Sequence, residues 1–541
     1  MNFFFKKLLS AGPICMLISY ILLMCAVPPV SRDALTHHLA VPKLYILHGG
    51  IYELPHIICS YYPELLDLIY CIPMIFHNDI VPKYIHLFFG LLSAVFIYGY
   101  VCKKINSYYA LLSALFFLSL PVILKLSITV YVDLGLICFS LAGLLLLLKW
   151  RENHYRNKWL ILSAICCGLA LSTKYNGLLT FFLLTSFTPI IYLNKNKHSQ
   201  LKALKYGLIF LFIALTVFSP WMIKNYIWTK NPVFPLFRNF FDISSTIQTS
   251  RDNDTDKKPS WNHFQVRKYV FKETGWQTIT IPLRIFFQGE DDNPKYFDGR
   301  LNPLLFFLPL LAFMNFKSKE TTSDNFNKKI LLLFSILYIL IVFFKIDMRI
   351  RWIGPAIPPL VILSSYGLKN LLKKFAPYKI LSASAALILI SVFSLNFIYA
   401  FNLFKKTDPL PYVFNKISRA KYIQKFRPEY ATIKFANDHL DKNTKLLAFF
   451  LGNRRYYSNH EIRFNYLILL QILKNSDNIK EISDKLKNMG YTDFIINYPK
   501  FNNWVEREFS ESDKKILKKF FNVYTNKIFT YDRYGLYHLK S

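Results

Sequence analysis

Long apolar runs separated by short basic stretches divide this 541-residue chain into a hydrophobic part and a more polar end. The runs fall near 8–30, 83–102, 107–125, 132–149, 159–173, 176–193, 205–222, 302–316, 329–345, 352–368 and 379–402. Stretches of roughly 17 to 25 apolar residues suit helices that cross a bilayer, and about eleven such helices are predicted. Residues 31–82 and 223–301 are long interruptions of this pattern. After residue 402 hydropathy drops, and helix-like segments (430–440, 478–489, 514–522) alternate with strand-like ones (445–451, 493–497, 534–539). The pattern predicts an all-α polytopic membrane domain over 1–402 and a small α/β domain over 403–541.

Charge sets the orientation. Lys and Arg number 66 against 33 Asp and Glu, and they gather at Lys6-Lys7, Lys103-Lys104, 149–158, 194–205, 317–329 and 369–379. Short basic loops stay in the cytoplasm, so the expected topology is multi-pass in the inner (plasma) membrane. The 31–82 and 223–301 loops and the C-terminal domain then lie outside. Topology and attraction to anionic membrane lipids account for the net charge of +33 without a nucleic-acid partner. The first apolar run lacks a small-x-small cleavage site and is expected to remain as a span. Six of the eight cysteines sit in or beside apolar runs as small hydrophobic residues; Cys59 and Cys71 share the first outer loop.

That loop is about fifty residues long, a length at which connections usually carry function, and it is dense in ionisable and aromatic groups. It opens Ser31-Arg32-Asp33-Ala34-Leu35-Thr36-His37-His38 and continues through Lys43, Gly49-Gly50 and Tyr61-Tyr62-Pro63-Glu64. Asp33, at the membrane surface, is a candidate catalytic acid or base; the bland alternative is a cap on a helix over 34–47. Asp133, at the outer end of the fourth span, is a second costly carboxylate, expected to hold a divalent cation or to pair with Lys125. Lys174, Arg349 and Arg351 are outer basic residues that run against the positive-inside bias, and phosphate binding is one reason for them. Asp347 is the simple ion-pair alternative for the two arginines. No nucleotide-binding loop or zinc-protease spacing occurs, and Asp252–Asp256 and Glu290-Asp291-Asp292 are expected to be solvated.

Taken together these residues resemble the GT-C superfamily of membrane glycosyltransferases, in particular the dolichyl-phosphate-mannose-protein mannosyltransferase-like group and its bacterial relatives that modify lipid A and lipopolysaccharide. The matching positions are Asp33 after the first span, Gly49-Gly50, Tyr61-Tyr62-Pro63, and Asp133 before the fourth span. Pro220–Tyr226 with Asn231–Pro235, and Arg349, Arg351, Trp352 and Pro355, complete them. Ala34 stands where the mannosyltransferase pattern has a second carboxylate, so Asp33 is cast as a lone base.

The resemblance implies transfer of a sugar from a polyprenyl-phosphate donor to a lipid, glycan or protein acceptor, with inversion. Compartment leads to the same donor class, because a transferase acting outside the cytoplasm has no nucleotide sugars and must draw on a lipid carrier. Asp33 is then the base, and Arg349, Arg351 and Lys174 bind the donor phosphate. His37, His38, Lys43, Tyr62, Tyr175 and Asn225 line donor or acceptor, and Asp133 is the candidate ligand of a divalent metal. The competing classes are a flippase of lipid-linked sugars and an envelope-assembly scaffold.

Overall fold

The computed structural model describes residues 3–196, 198–238, 240–241, 262–314, 322–476 and 478–540. The polar patch 249–260, with its Asp252–Asp256 run, lies outside them. Each apolar run forms helix: Phe3–Cys25, Val81–Lys104, Ser107–Ser119 with Pro121–Ser127, Asp133–Glu152, Asn157–Thr173, Gly177–Leu193, Gln200–Thr229, Leu304–Leu311, Thr322–Ile341, Ile357–Phe375 and Lys379–Thr407. Five helices among the described residues are individually long and apolar enough to span a membrane, or six with one bent pair.

The structure alters three of the expected spans. The run at 107–125 is bent by 67° at Leu120, because Pro121 removes a backbone donor and drives Leu120 to extended backbone, with ψ 132. Among the described residues 302–314 of the run at 302–316, only Leu304–Leu311 is helical. The helix expected from 352 starts at Ile357, and Ile350–Ala356, interrupted by Pro355, winds more tightly as a 3-10 turn. That short turn carries Arg351.

Small residues let the helices approach closely, as membrane packing requires. At Gly367 an added Cβ would sit 1.8 Å from the Leu308 carbonyl. Lys379–Thr407 behaves differently: only 6% of its apolar window is fully buried, and it meets the bundle along one side through Leu389, Val392, Phe393 and Asn396.

The bundle has two polar ends. At one, Lys104 Nζ lies 2.7 Å from both Glu152 and Asp324, joining three helices. At the other are Asp33, Asp133, Lys174 and Arg351. These are the two sides that the charge pattern separated.

In the C-terminal domain β1 (Lys445–Phe449), β2 (Glu461–Arg463), β3 (Tyr491–Asn497), β4 (Thr525–Tyr531) and β5 (Tyr534–Leu539) form one sheet in the order β2-β1-β3-β5-β4. The β1 strand pairs parallel with β2 and β3, whereas β5 runs antiparallel to β3 and β4. Side chains alternate as a doubly covered sheet demands. Leu447 and Phe449 pack with Leu486, Trp504 and Phe520 on one face, and Leu446 and Ala448 pack with Ile433 and Ala436 on the other. Cys59 and Cys71 are free thiols.

Candidate active site

The first loop does not form the single helix expected over 34–47. Ala34–His38 is a wide π turn, and a regular helix, Ala40–His48, starts after Leu39. The Asp33 side chain caps neither. It points instead across the molecule, where Arg351 Nη1 donates to Asp33 Oδ2 at 2.6 Å. This removes the bland reading of Asp33, since the carboxylate is held by a residue 318 positions away and not by its own helix.

Arg351 is also the hinge to Asp133. Lys174 Nζ donates to Asp133 Oδ1 at 2.8 Å, leaving Asp133 Oδ2 buried without a hydrogen-bond partner. The attraction of both Asp33 and Asp133 raises Arg351 above its ordinary range, against the opposing effect of burial. The result is a chain of alternating charge: Asp33, Arg351, Asp133, Lys174. Burial by itself would raise the Asp33 carboxyl; the Arg351 guanidinium outweighs it and holds the group well below the usual carboxylate range. Tyr131 and Trp352 flank the chain, with Arg351 5.4 Å from the Tyr131 ring and Lys174 5.0 Å from the Trp352 ring.

Asp33 and Arg351 open onto a cavity of about 570 Å³, also lined by Arg32, Lys125, Arg267, Asp298, Asp347 and Arg349. Arg349 Nε donates to Asp347 at 2.8 Å and remains about a third exposed. Asp33, Arg349 and Arg351 line one cavity, whereas Lys174 is outside its lining and is linked to them through Asp133.

The other sequence candidates are placed differently. His38 is buried and its Nδ1 lies 2.8 Å from Asp67 Oδ1; the His37 ring lies beside it, tilted by 47° with ring centroids 4.0 Å apart. Burial pushes His38 down to about 4 and His37 to about 3, so both are neutral near pH 7 beneath the carboxylate. Lys43 is not at the cavity: its ammonium donates to the Tyr456 carbonyl, the Ser458 carbonyl and Asn459, at 3.0, 2.7 and 3.2 Å. Asn225 is fully buried and donates to the Tyr61 carbonyl at 2.8 Å and the Phe234 carbonyl at 3.2 Å, fixing two loops to each other. Tyr62 and Tyr175 meet edge to face at 5.6 Å outside the cavity lining.

Asp133 pairs with Lys174 rather than Lys125, and no group of three His, Cys, Asp or Glu among the described residues could hold a metal ion. With Asp33 and Asp133 each facing a basic side chain, this pair does not fit a resident divalent cation. Nor is the 290–292 turn merely solvated, since Asp291 and Asp292 lie 3.5 and 3.2 Å from Lys125 and Tyr399 donates to Asp291.

Several residues beyond the sequence candidates build the site. His86 Nδ1 faces the Leu126 and Thr129 carbonyls at 3.1 and 3.0 Å, while its Nε2 accepts from the Leu134 backbone at 2.9 Å. It thereby shapes the turn that delivers Asp133. Arg267 forms a cavity wall from a loop whose sequence carried no motif. The C-terminal domain also reaches in: the Leu35 carbonyl accepts from the backbone N–H groups of Arg455 and Tyr456 at 3.0 and 3.1 Å. The Tyr457 hydroxyl donates to the Pro29 carbonyl at 2.7 Å.

The family described as dolichyl-phosphate-mannose-protein mannosyltransferase matches residues 76–230. No curated protein matches the chain. Among solved structures, ArnT from Cupriavidus metallidurans in the apo state superposes with a TM-score of 0.56 at 12% identity, covering 98% of each chain. The chain has the GT-C fold. ArnT bound to undecaprenyl phosphate gives a TM-score of 0.52 at 13% identity over 97% of this chain and 98% of that one. The archaeal oligosaccharyltransferase AglB from Archaeoglobus fulgidus, in complex with an inhibitory peptide and a dolichol-phosphate, gives 0.51 at 11% identity over 98% and 74%. The GT-C likeness thus runs through the C-terminal sheet domain as well as the bundle.

Proposed function

We propose that this chain is a membrane glycosyltransferase that moves a sugar from a polyprenyl-phosphate donor to an acceptor hydroxyl on the outer face of the inner membrane, with inversion. The observation that carries the reading is the Asp33–Arg351 pair at the mouth of a charged cavity in a GT-C fold. A carboxylate and a guanidinium side by side are the two groups such a transfer needs, one for the proton and one for the phosphate.

In the resting pair Asp33 is a weak base, because Arg351 stabilises its ionised form. A donor phosphate entering the cavity competes for that guanidinium and frees the carboxylate as it binds. Asp33 then accepts the proton from the acceptor hydroxyl while the hydroxyl oxygen bonds to the anomeric carbon. The bond from that carbon to the phosphate oxygen breaks, and its electron pair leaves with the polyprenyl phosphate. Arg351 and Arg349 stabilise the departing charge; Lys174 acts through Asp133, keeping Arg351 in place. Protonation of Asp33 and departure of the lipid phosphate complete the balance.

Purified protein in lipid vesicles, supplied with a radiolabelled polyprenyl-phosphate sugar and envelope extract, is expected to pass label to an extract component. No transfer is expected from the corresponding nucleotide sugar. Transfer from the nucleotide sugar instead would overturn the donor assignment.

A further inference from the structure

A groove of about 310 Å³ lies between the helices Ser107–Ser119, Leu304–Leu311, Ile357–Phe375 and Lys379–Thr407. It exists because the last of these is seated by one half only. The buried residues of that helix are Asn396, Tyr399, Ala400 and Leu403, all in the half nearer the Asp33 cavity. There Asn302 donates to Asn396 at 2.8 Å, and the rings of Phe393 and Phe116 lie 5.8 Å apart. Toward Lys379 the helix is open, with Ile380 and Leu387 83% and 67% exposed.

The walls suit an apolar occupant. Leu112, Phe116, Leu308, Leu368, Leu389 and Phe393 form much of the lining. Its serines are already satisfied, since Ser113, Ser364 and Ser365 donate to the carbonyls of Tyr109, Leu360 and Ile362 at 2.6, 2.8 and 2.6 Å. Tyr108 and Tyr109 stand at its mouth, on the side of the bundle that carries Lys104, and tyrosine at a span end sits at the level of the headgroups. Inward of this mouth no side chain is left to hold water, so hydrocarbon fills the space. From Tyr108 to Phe116 the lining runs about 12 Å at 1.5 Å per residue. That is most of one leaflet of a hydrocarbon core about 30 Å thick, the reach of a single acyl chain.

The mouth is basic. None of the four helices contains Asp or Glu. Lys369 and Lys373 directly follow the lining residues Leu368 and Leu372, and Lys379 precedes Ala386 by two turns on the same helix face. These three form no ion pair among the described residues. The described acids of that side, Glu152 and Asp324, are both held by Lys104. Lysine stems lie along apolar surface while their ammonium groups reach the headgroup layer, where they attract phosphate.

We infer that this groove is a site for an anionic phospholipid, with one acyl chain between the helices and its phosphate at Lys369, Lys373 and Lys379. The lipid fastens the open half of Lys379–Thr407 to the bundle. At the other end of that helix Lys406 donates to Asp292 at 3.0 Å, and Asp292 lines the Asp33 cavity, so the bound lipid steadies a cavity wall.

The test uses full-length protein, stripped of lipid in detergent and titrated with phosphatidylglycerol or with phosphatidylcholine of the same chains, with adducts followed by native mass spectrometry. Phosphatidylglycerol is expected to occupy one site roughly tenfold or more tightly. The preference is expected to vanish in the triple variant Lys369→Gln, Lys373→Gln, Lys379→Gln, whose side chains are not buried. Ala386→Trp, which fills the groove, is expected to lose the tight site, whereas Leu387→Trp, on the open face, keeps it. Equal binding of the two lipids, or a preference that survives in the triple variant, overturns the proposal. A tight site retained in folded Ala386→Trp places the lipid elsewhere and overturns the groove; if that variant does not fold, the triple variant decides. Displacement of phosphatidylglycerol by equimolar polyprenyl phosphate makes the groove a carrier site and overturns the phospholipid.

Discussion

The charge chain Asp33–Arg351–Asp133–Lys174 makes separable predictions for its members. In Arg351→Gln, Asp33 loses the cation that overrides burial, so its pKa moves up. A carboxylate must be ionised to act as a base, and the acid limb of the pH–rate profile is expected to shift to higher pH while the maximal rate falls. An unmoved acid limb would mean that Arg351 does not tune Asp33. Lys174→Met has a different signature, since it removes the ammonium that hydrogen-bonds the buried Asp133. Removing one partner of a buried pair costs about 3–5 kcal/mol, so the thermal midpoint of the detergent-purified protein should drop. Adding Asp133→Asn should recover most of the loss; a double variant as unstable as the single would show that the pair is not the cause. Asp33 and Asp133 were both legible as acids at span ends, whereas their partners were not. Nothing in sequence spacing says that residue 351 reaches residue 33, because that contact is set by the packing of helices far apart in the chain.

Among the elements, the loop joining β1 to β2 carries the most specific consequence. It seats the first outer loop by placing Arg455 and Tyr456 on the Leu35 carbonyl, two residues from Asp33, and by holding Lys43 through three acceptors. Lys43→Met together with Tyr457→Phe should therefore lower kcat by about tenfold, since loss of positioning slows chemistry more than it weakens binding, with KM for donor little changed. A rise in KM at constant kcat would indicate a binding role instead. The long apolar helices, the C-terminal helices Glu429–His439, Ile479–Asn488 and Glu511–Tyr524, and the strands β1, β3 and β5 were legible from their apolar runs and periodicity, whereas the short helices Leu65–Ile75, Leu467–Lys474 and Tyr498–Glu508 were not. The edge strands β2 and β4 escaped notice: β2 is three residues long, and β4 carries Asn526, Lys527 and Thr530 with most of its side chains exposed. Pro121 was visible in sequence, yet the bend it makes matters only because Ser127 and Tyr131 must turn back to deliver Asp133.

At the scale of the whole molecule, charge separation and fold agree. Lys104, Glu152 and Asp324 tie helix ends together on one side, and the Asp33 cavity and the C-terminal domain share the other. The proposed topology puts the first side in the cytoplasm. With the eight native cysteines replaced, Ser510→Cys should react with a membrane-impermeant maleimide in intact spheroplasts, and Asn153→Cys only after permeabilisation. The reverse pattern would invert the orientation and remove the argument for a lipid-linked donor.

Asp33 as the general base is the centre of the proposed transfer. The decisive measurement is sugar transfer by Asp33→Asn protein, correctly inserted and shown to bind donor, from a labelled polyprenyl-phosphate sugar. Loss of a general base costs about a hundred- to ten-thousand-fold, and transfer is predicted to fall by that much while donor binding persists; transfer at the unaltered rate would contradict the account.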